Sequence, residues 1–470
     1  MTNYRGQRVV ILGLARQGMA LARYLVQAGA RVVISDRQPA EKLAAAGRLA
    51  ALSDLPIEYV LGGHPPSLLD GADLLCLSGG VDANIPLAQE ARRRGVPLSN
   101  DSQIFLEACP AGVMTVGVTG SAGKTTTTTL VGRILTPPPP SPVEQSRQAR
   151  GVRTWIGGNI GNPLIAEVHR MRVGDIAVME LSSFQLEIMT RSPHVSALLN
   201  ITPNHLDRHG TMEVYTAAKS HILLHQSAAD VAVLGLDDVG ARRLSPLVRG
   251  RWVYFSGATL VAAQEGTFLR DEVIVFRWDR REQAVCAVKD IGLRGQHNIL
   301  NVLAACAISG AAGATPEAMR AGIEGFTGVE HRLEFVRERD GVKWYNDSIA
   351  SAPERVVAAL NSFEEPIVLL AGGRDKKLPW EDFARLAKTR VKCLVLFGEA
   401  GPLIQRAVEA ANMDRTQYTL CGRLGEAVRV AAGKAESGDV VLLSPGCTSF
   451  DEFTDFAERG EKFKEWVREL

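Results

Sequence analysis

Lys124 and Thr125 sit in the setting that says most about chemistry. They follow three glycines, Gly117, Gly120 and Gly123, spaced three apart at the end of an apolar run, and a helix-compatible stretch comes next. Strand, glycine-rich turn and helix in that order suit an anionic polyphosphate. The turn's backbone N–H groups and the helix N-terminus aim their donors at one spot. On this reading Gly120, Ser121, Ala122, Gly123 and Thr126 cradle the polyphosphate. Lys124 reaches the β- and γ-phosphates, and the Thr125 hydroxyl helps to hold Mg²⁺. A Gly/Thr-rich surface turn would need neither the strand before it nor the helix after it. Val118 stands where the commonest phosphate loop has its first glycine, which narrows the class of loop.

Four downstream segments place polar residues at strand ends where packing alone would not require them. They are Gly157-Gly158-Asn159-Ile160-Gly161, Glu180-Leu181-Ser182-Ser183-Phe184-Gln185, Asn200-Ile201-Thr202-Pro203-Asn204-His205-Leu206-Asp207 and Ala217-Ala218-Lys219. Taken singly, each has a plainer meaning. His205 would be a hydrogen-bonded core histidine, Glu180 an ordinary strand-end carboxylate, and Lys219 a solvated helix lysine.

The elements that must position these residues form three successive α/β blocks, expected at 1–112, 113–328 and 329–470. The first opens with a strand, residues 8–12, turning into a helix at Gly13-Leu14-Ala15-Arg16-Gln17-Gly18. A second strand ends at Asp36, and a third runs into Ser78-Gly79-Gly80. The spacing is that of a dinucleotide fold, but Ala15 or Arg16 replaces the middle glycine of the fingerprint, so the signal for a dinucleotide is weak. The second block starts at the phosphate loop and is interrupted by a polyproline stretch at 136–142, expected to be an exposed loop. It continues through strands near 175–180, 196–200 and 231–234 and a β-rich stretch at 251–290, and closes with a helix at 297–313. The third block has apolar strands at 367–371, 393–397 and 440–443. The expected fold class is α/β in three domains. A Rossmann-like domain comes first, then a P-loop ATPase-like domain with a mainly parallel sheet, then a second Rossmann-like domain.

With 470 residues the chain is too long for one core. Its 53 Lys and Arg balance 52 Asp and Glu, so no global field draws it to nucleic acid or to an acidic membrane. No apolar run is long enough to span a bilayer, and the start lacks the apolar core of a signal peptide. The seven cysteines contain no CxxC pair and read as buried free thiols in a reducing cytoplasm. A cytoplasmic monomer without nucleic-acid partners is expected.

The phosphate-loop variant together with the four segments above closely resembles the Mur ligases of peptidoglycan synthesis, over essentially the whole chain. The likeness extends to His331-Arg332-Leu333-Glu334, Asn346-Asp347-Ser348, Gly372-Gly373 and the stretch from Ser444-Pro445-Gly446 to Phe456. It implies an ATP-dependent amide ligase that adds glutamate, D- in expectation, to UDP-N-acetylmuramoyl-L-alanine through an acyl phosphate. By resemblance Glu180 and His205 are Mg²⁺ ligands, with Thr125 on the nucleotide-side ion of an expected pair. Lys219 matches a lysine that CO₂ converts to a carbamate, which turns a cation into a carboxylate-like metal ligand. Lys124, Glu180, His205 and Lys219 form the implied catalytic set. Asn298, Asn301, Arg332 and Asp347 match nucleotide contacts. Asn159 and His205 match muramoyl-side contacts. Arg16, Gln17, Asp36, Arg37, Ser78, Gly79 and Gly80 match loops that hold the UDP moiety, and Lys376, Ser449 and Phe456 match the glutamate pocket.

Four positions depart from the family pattern. Ala122 replaces an asparagine in the loop, and Asn204-His205 replaces Asp-His. Ser78-Gly79-Gly80 replaces Ser-Pro-Gly, and Ile349 replaces a lysine near the amino-acid site. The last leaves L-glutamate or another amino acid open as the substrate. Two further classes compete with a ligase. An NAD-dependent oxidoreductase would use the first block and leave the phosphate loop unexplained. A non-catalytic nucleotide-gated scaffold would leave Glu180, His205 and Lys219 without a shared purpose.

Overall fold

Aliphatic and β-branched runs such as Arg8–Leu12 and Ile367–Gly372 are buried along nearly their whole length. Strands covered on both faces read this way, which is the mark of parallel sheets between helices. The computed structural model describes residues 3–136 and 152–470. Beyond Thr136, the expected polyproline loop at 136–142 lies outside them. The chain divides into two compact units, Met1–Ile291 with His297–Glu324, and Gly292–Gln296 with Gly325–Leu470.

The first unit holds two sheets. One contains β1 (Arg8–Leu12), β2 (Arg31–Asp36), β3 (Ile57–Leu61), β4 (Leu74–Leu77) and β5 (Leu98–Ser99), in the order β3-β2-β1-β4-β5 with every pair parallel. The order reverses between β1 and β4, and a crevice opens at the carboxyl ends of strands at such a point. Gly13 leaves β1 there, and Ser78-Gly79-Gly80 leaves β4. A Cβ at Gly18 would fall 2.0 Å from the Gly13 carbonyl oxygen, so this glycine lets the helix Arg16–Gln27 close onto the turn.

The second sheet is nine-stranded. Its strands are β6 (Met114–Thr119), β7 (Thr154–Gly158), β8 (Ile176–Glu180), β9 (Val195–Leu198), β10 (Val231–Gly235), β11 (Arg251–Ser256), β12 (Gly266–Arg270), β13 (Val273–Trp278) and β14 (Arg281–Ala287). They lie in the order β14-β13-β12-β11-β10-β9-β6-β8-β7. Pairing is parallel from β7 to β12 and antiparallel for β12-β13-β14. The β-rich stretch expected at 251–290 is this edge, whose last strand exposes its first four residues. The phosphate loop leaves β6, which lies between β9 and β8, and the closing helix runs Gln296–Ala311 rather than 297–313.

The second unit carries β15 (Glu334–Arg339), β16 (Val342–Asn346), β17 (Ile367–Gly372), β18 (Val391–Phe397), β19 (Tyr418–Leu420) and β20 (Val440–Gly446), in the order β15-β16-β20-β17-β18-β19. Only β15 runs antiparallel to its neighbour. Ile367 and Leu369 face one core and Val368 and Leu370 the other, so both faces of the sheet are covered. The fold class is α/β with mainly parallel sheets, as expected. Among the described residues, no helix is long and apolar enough to cross a membrane.

Candidate active site

The phosphate loop is braced from the strand end beside it. Ser121 N–H donates to Asn200 O at 3.0 Å, Ala122 N–H to Asn200 Oδ1 at 2.9 Å, and Ser121 Oγ to Thr202 O at 2.9 Å. Gly123 caps the helix Lys124–Leu135 in a left-handed conformation, with no side-chain hydrogen bond at the cap. The first-turn N–H groups, which have no intrahelical partner, are thereby left for an anion. Asn301 closes the other flank, since a Cβ on Gly123 would sit 2.2 Å from its Oδ1. Asn301 Nδ2 in turn donates to Asn298 Oδ1 at 3.0 Å. The two asparagines expected at the nucleotide thus stand together, with Asn301 against the loop.

Two lysines converge on this loop. Lys124 Nζ and Lys219 Nζ each donate to Gly120 O at 2.9 Å, and Lys219 also lies 3.3 Å from Thr119 Oγ1. Lys219 is 1% exposed on the helix Met212–Leu224, with its amine over the Tyr215 ring. Burial first, and then the Lys124 charge, hold its amine well below the usual lysine range, against the pull of Glu180.

Glu180 ends β8 at 2% exposure. Its Oε1 accepts from Asn159 Nδ2 at 2.9 Å, while its Oε2 is buried with no hydrogen-bond partner among the described residues. A buried carboxylate oxygen left bare is costly unless a cation or donor completes it. Glu180 therefore fits a divalent cation in chemistry and in position. His205 has a left-handed backbone, φ 54°, at the start of a short helix. Its ring meets the edge of Phe184 at 5.1 Å, and His209 stacks on Phe184 at 5.2 Å while sharing a 2.9 Å hydrogen bond with Ser183. The turn after Glu180 thus fixes the turn that carries His205.

At the carboxyl ends of the first sheet lies a cavity of about 420 Å³ lined in part by Gly13, Asp36, Arg37, His64, Gly80 and Arg208. Asp36 accepts from Leu14 N–H at 2.7 Å and from Gln38 N–H at 2.8 Å, so it also shapes the turn it faces. Gln17 Oε1 accepts from Gly79 N–H at 3.0 Å, and Ser78 Oγ donates to Gly13 O at 3.0 Å. Arg16 is exposed at the start of the neighbouring helix.

In the second unit, the loops after β16, β17 and β20 leave adjacent strands. Asp347 is 5% exposed, accepts from Ser444 Oγ at 2.8 Å and from Leu333 N–H at 3.2 Å, and is raised by burial to about 7. The Arg332 charge opposes that rise. Lys376 Nζ donates to Ser351 Oγ at 2.9 Å, Ser449 is buried, and Phe456 is 40% exposed. Glu330, His331 and Glu461 lie close enough together to suggest a metal site. An ammonium already fills it: Lys464 Nζ lies 2.7 Å from Glu330, 2.7 Å from Glu461 and 3.1 Å from Glu334.

Comparison with known proteins fits this arrangement. Models of the Mur ligase MurD-like N-terminal domain, the Mur ligase middle domain and the Mur ligase glutamate ligase domain match residues 7–100, 118–309 and 331–447. The chain belongs to the Mur ligase family. A UDP-N-acetylmuramoylalanine–D-glutamate ligase of Symbiobacterium thermophilum is 43% identical over 465 residues, covering 99% of this chain and 98% of that protein. Its counterpart in Acetivibrio thermocellus is 39% identical over 475 residues, covering 99% and 97%. Among solved structures, the UDP-N-acetylmuramate–alanine ligase of Thermotoga maritima has a TM-score of 0.54 at 19% identity, covering 98% of this chain and 99% of that one. A MurF ligase of the same organism, solved with ADP, has a TM-score of 0.55 at 19% identity, covering 99% and 96%.

Some residues of this Mur ligase escaped the sequence reading. Asn200 lay inside a quoted segment, but its bonds to the loop cross 78 residues of chain. Arg208 reaches the first-sheet cavity with its guanidinium 4.4 Å over Phe184 and Nε 3.3 Å from Asp82. His64 lines the same cavity and shares a 2.8 Å hydrogen bond with Ser35. Nothing in local spacing marks these two.

Proposed function

We propose that this chain is an ATP-dependent ligase that joins D-glutamate to UDP-N-acetylmuramoyl-L-alanine in peptidoglycan precursor synthesis. The observation that carries the reading is the convergence of Lys124, Lys219 and the half-satisfied Glu180 on the loop after β6. The names of the full-length relatives support the substrates.

A carboxylate is a poor electrophile and must first gain a leaving group. The muramoyl-alanine carboxylate attacks the γ-phosphorus of ATP, giving an acyl phosphate and ADP. The glutamate amino nitrogen then attacks the acyl carbon, and the tetrahedral intermediate collapses to amide and phosphate. Lys124 and the bare helix N-terminus offset the charge that gathers on the phosphates. Thr125, Glu180, His205 and a carbamylated Lys219 would hold Mg²⁺, which supplies further charge neutralisation. Asn159 keeps Glu180 oriented and stands beside the acceptor carboxylate. The depressed Lys219 amine favours the neutral form, the form that adds CO₂.

The cavity beside Asp36, Arg37 and Gly80 takes the UDP end, with Arg16, Gln17, Ser78 and Gly79 on its flanking turns. Asn298, Asn301, Arg332 and Asp347 take the nucleotide, and Lys376, Ser449 and Phe456 the amino acid. Domains divided at 112/113 and 328/329, a cytoplasmic location, a monomeric state and the absence of nucleic-acid partners complete the reading.

Purified protein is incubated with ATP, Mg²⁺ and UDP-N-acetylmuramoyl-L-alanine, with D-glutamate in one tube and L-glutamate in another. Phosphate release and product mass are read in each. Product with D-glutamate alone is expected. Product with L-glutamate alone keeps the chemistry and reverses the stereochemistry, and no product in either tube refutes the substrate assignment.

A further inference from the structure

Arg459 is the largest side chain in the protein that is fully buried, at 0% exposure in the first turn of the helix Phe456–Glu469. Its Nε donates to Ser348 Oγ at 3.0 Å, and its Nη2 donates to Ser348 O at 2.8 Å and to Cys447 O at 3.1 Å. Among the described residues its Nη1 has no hydrogen-bond partner and no carboxylate forms a direct ion pair with the group, while the Asp451 and Asp347 carboxylates lie near enough to offset part of its charge. A buried cation without a direct ion-pair partner is among the costlier things a fold can hold. Burial lowers it only to about 10, so it stays protonated at neutral pH.

The group sits behind the strand-end loops after β17 and β20, which carry the residues expected at the amino acid, and beside the turn after β16. Ser348 Oγ, which accepts from Arg459, donates onward to Phe456 O at 2.7 Å. Cys447 lies two residues before Ser449. A Cβ on Gly373, three residues before Lys376, would sit 3.1 Å from Arg459 Nη1. Burial first, and then the Arg355 and Arg459 charges, lower the Lys376 ammonium, against the pull of Glu354. Arg459, Arg355 and Lys376 therefore gather positive charge here, set against the Asp451 and Asp347 carboxylates behind Arg459, while Ile349 adds none.

We propose that Arg459 is a positioning and specificity-determining residue of the amino-acid pocket, whose buried charge, held without a direct ion pair, acts with Lys376 to match the two carboxylates of a dicarboxylic amino acid. This rests on the assignment of Lys376, Ser449 and Phe456, on the loops after β17 and β20, to glutamate. Arg459 does not touch the substrate. It ties the three loops into one wall and supplies a fixed positive field behind it. A field source held in a low-dielectric interior needs no reorganisation when the anion arrives. The same field disfavours amino acids with one carboxylate.

Two variants separate charge from tie. Arg459→Gln keeps hydrogen-bond donors to the carbonyls and removes the charge, whereas Arg459→Lys keeps the charge and removes the fork. The readout is the KM for D-glutamate beside the KM for ATP and for UDP-N-acetylmuramoyl-L-alanine, with a melting curve for each variant. R459Q is expected to raise the glutamate KM on the order of tenfold or more, with the other two changed less than about twofold. R459K is expected to stay within about threefold of the unaltered protein for glutamate. An unchanged glutamate KM in R459Q, or equal rises in both variants, overturns the proposal, the second meaning a structural tie only. Should R459Q fail to fold, R459K decides alone: a rise above about tenfold counts against the charge and a near-normal KM supports it. Failure of the underlying assignment looks different, because the unaltered protein would then release no phosphate in response to glutamate.

Discussion

Lys124 Nζ and Lys219 Nζ lie 2.9 Å from the same acceptor, the carbonyl oxygen of Gly120. Two ammonium groups so placed repel, and that repulsion adds to burial, the larger cause, in depressing the Lys219 amine. Adding CO₂ to the neutral amine forms an N–C bond, releases a proton and leaves an anion, so the like-charged pair becomes an attractive one. Lys219→Ala is expected to lower turnover on the order of 10²–10³-fold and to regain part of it with small carboxylates. Phosphate release with and without acetate checks this, and full activity without rescue would exclude the carbamate. Buffer stripped of CO₂ should slow the unaltered protein reversibly, with intact mass falling by one CO₂.

Glu180 makes a second case. With Oε1 on Asn159 and Oε2 bare, the carboxylate is held for a cation. Glu180→Gln keeps the shape and removes the charge. In the absence of Mg²⁺ its melting temperature should match or exceed that of the unaltered protein, because an uncompensated buried anion has gone. Turnover at saturating Mg²⁺ should fall on the order of 10²-fold or more. A variant that melts lower without Mg²⁺ yet turns over normally would place Glu180 among structural groups.

The parts legible in the sequence are those fixed by short-range rules. Gly117, Gly120, Gly123 and Lys124 are contiguous, and their order alone implies strand, loop and helix. Gly13, Gly18 and Asp36 likewise announce the first α/β turn, and the switch from β1 to β4 then places the crevice. What stayed hidden depends on contacts between distant segments. Nothing near Arg459 in sequence says that it will reach Ser348, 111 residues away. The αL backbone of His205 and its packing on Phe184 are equally invisible until the turns after β8 and β9 are brought together. The antiparallel edge β12-β13-β14 was legible as strand content but not as direction, since pairing sense follows from connection geometry rather than from residue type.

Gly123 and Asn301 support a test of the nucleotide side. At φ +83° with Asn301 Oδ1 2.2 Å from the position of a Cβ, Gly123 is constrained by both backbone and neighbour. Gly123→Ala should raise the KM for ATP on the order of tenfold or more, since the left-handed conformation alone costs about 1–2 kcal/mol. Asn301→Ala removes the obstructing oxygen and a proposed nucleotide contact. In the double variant the two losses should add to less than their sum, because one clash is shared. Strict additivity in a double-mutant cycle would mean that Asn301 does not press on the loop.

Asp347 sets the pH behaviour of the second unit. Burial raises its carboxyl from the ordinary 3.8 to about 7, against the pull of Ser444, the Leu333 N–H and the Arg332 and Arg355 charges. The folded state therefore prefers the protonated acid. Its contribution to stability is complete below about pH 4, declines as pH rises through the window between the two values, and is lost above about pH 7. The three-unit difference corresponds to about 4 kcal/mol at most. Asp347→Asn cannot ionise, so its melting temperature relative to the unaltered protein should climb between pH 4 and pH 7 and then level off. Melting curves of the two proteins across that range test it. A difference that stays flat would mean that Asp347 is already ionised in the folded state, with Arg332 and Arg355 outweighing burial.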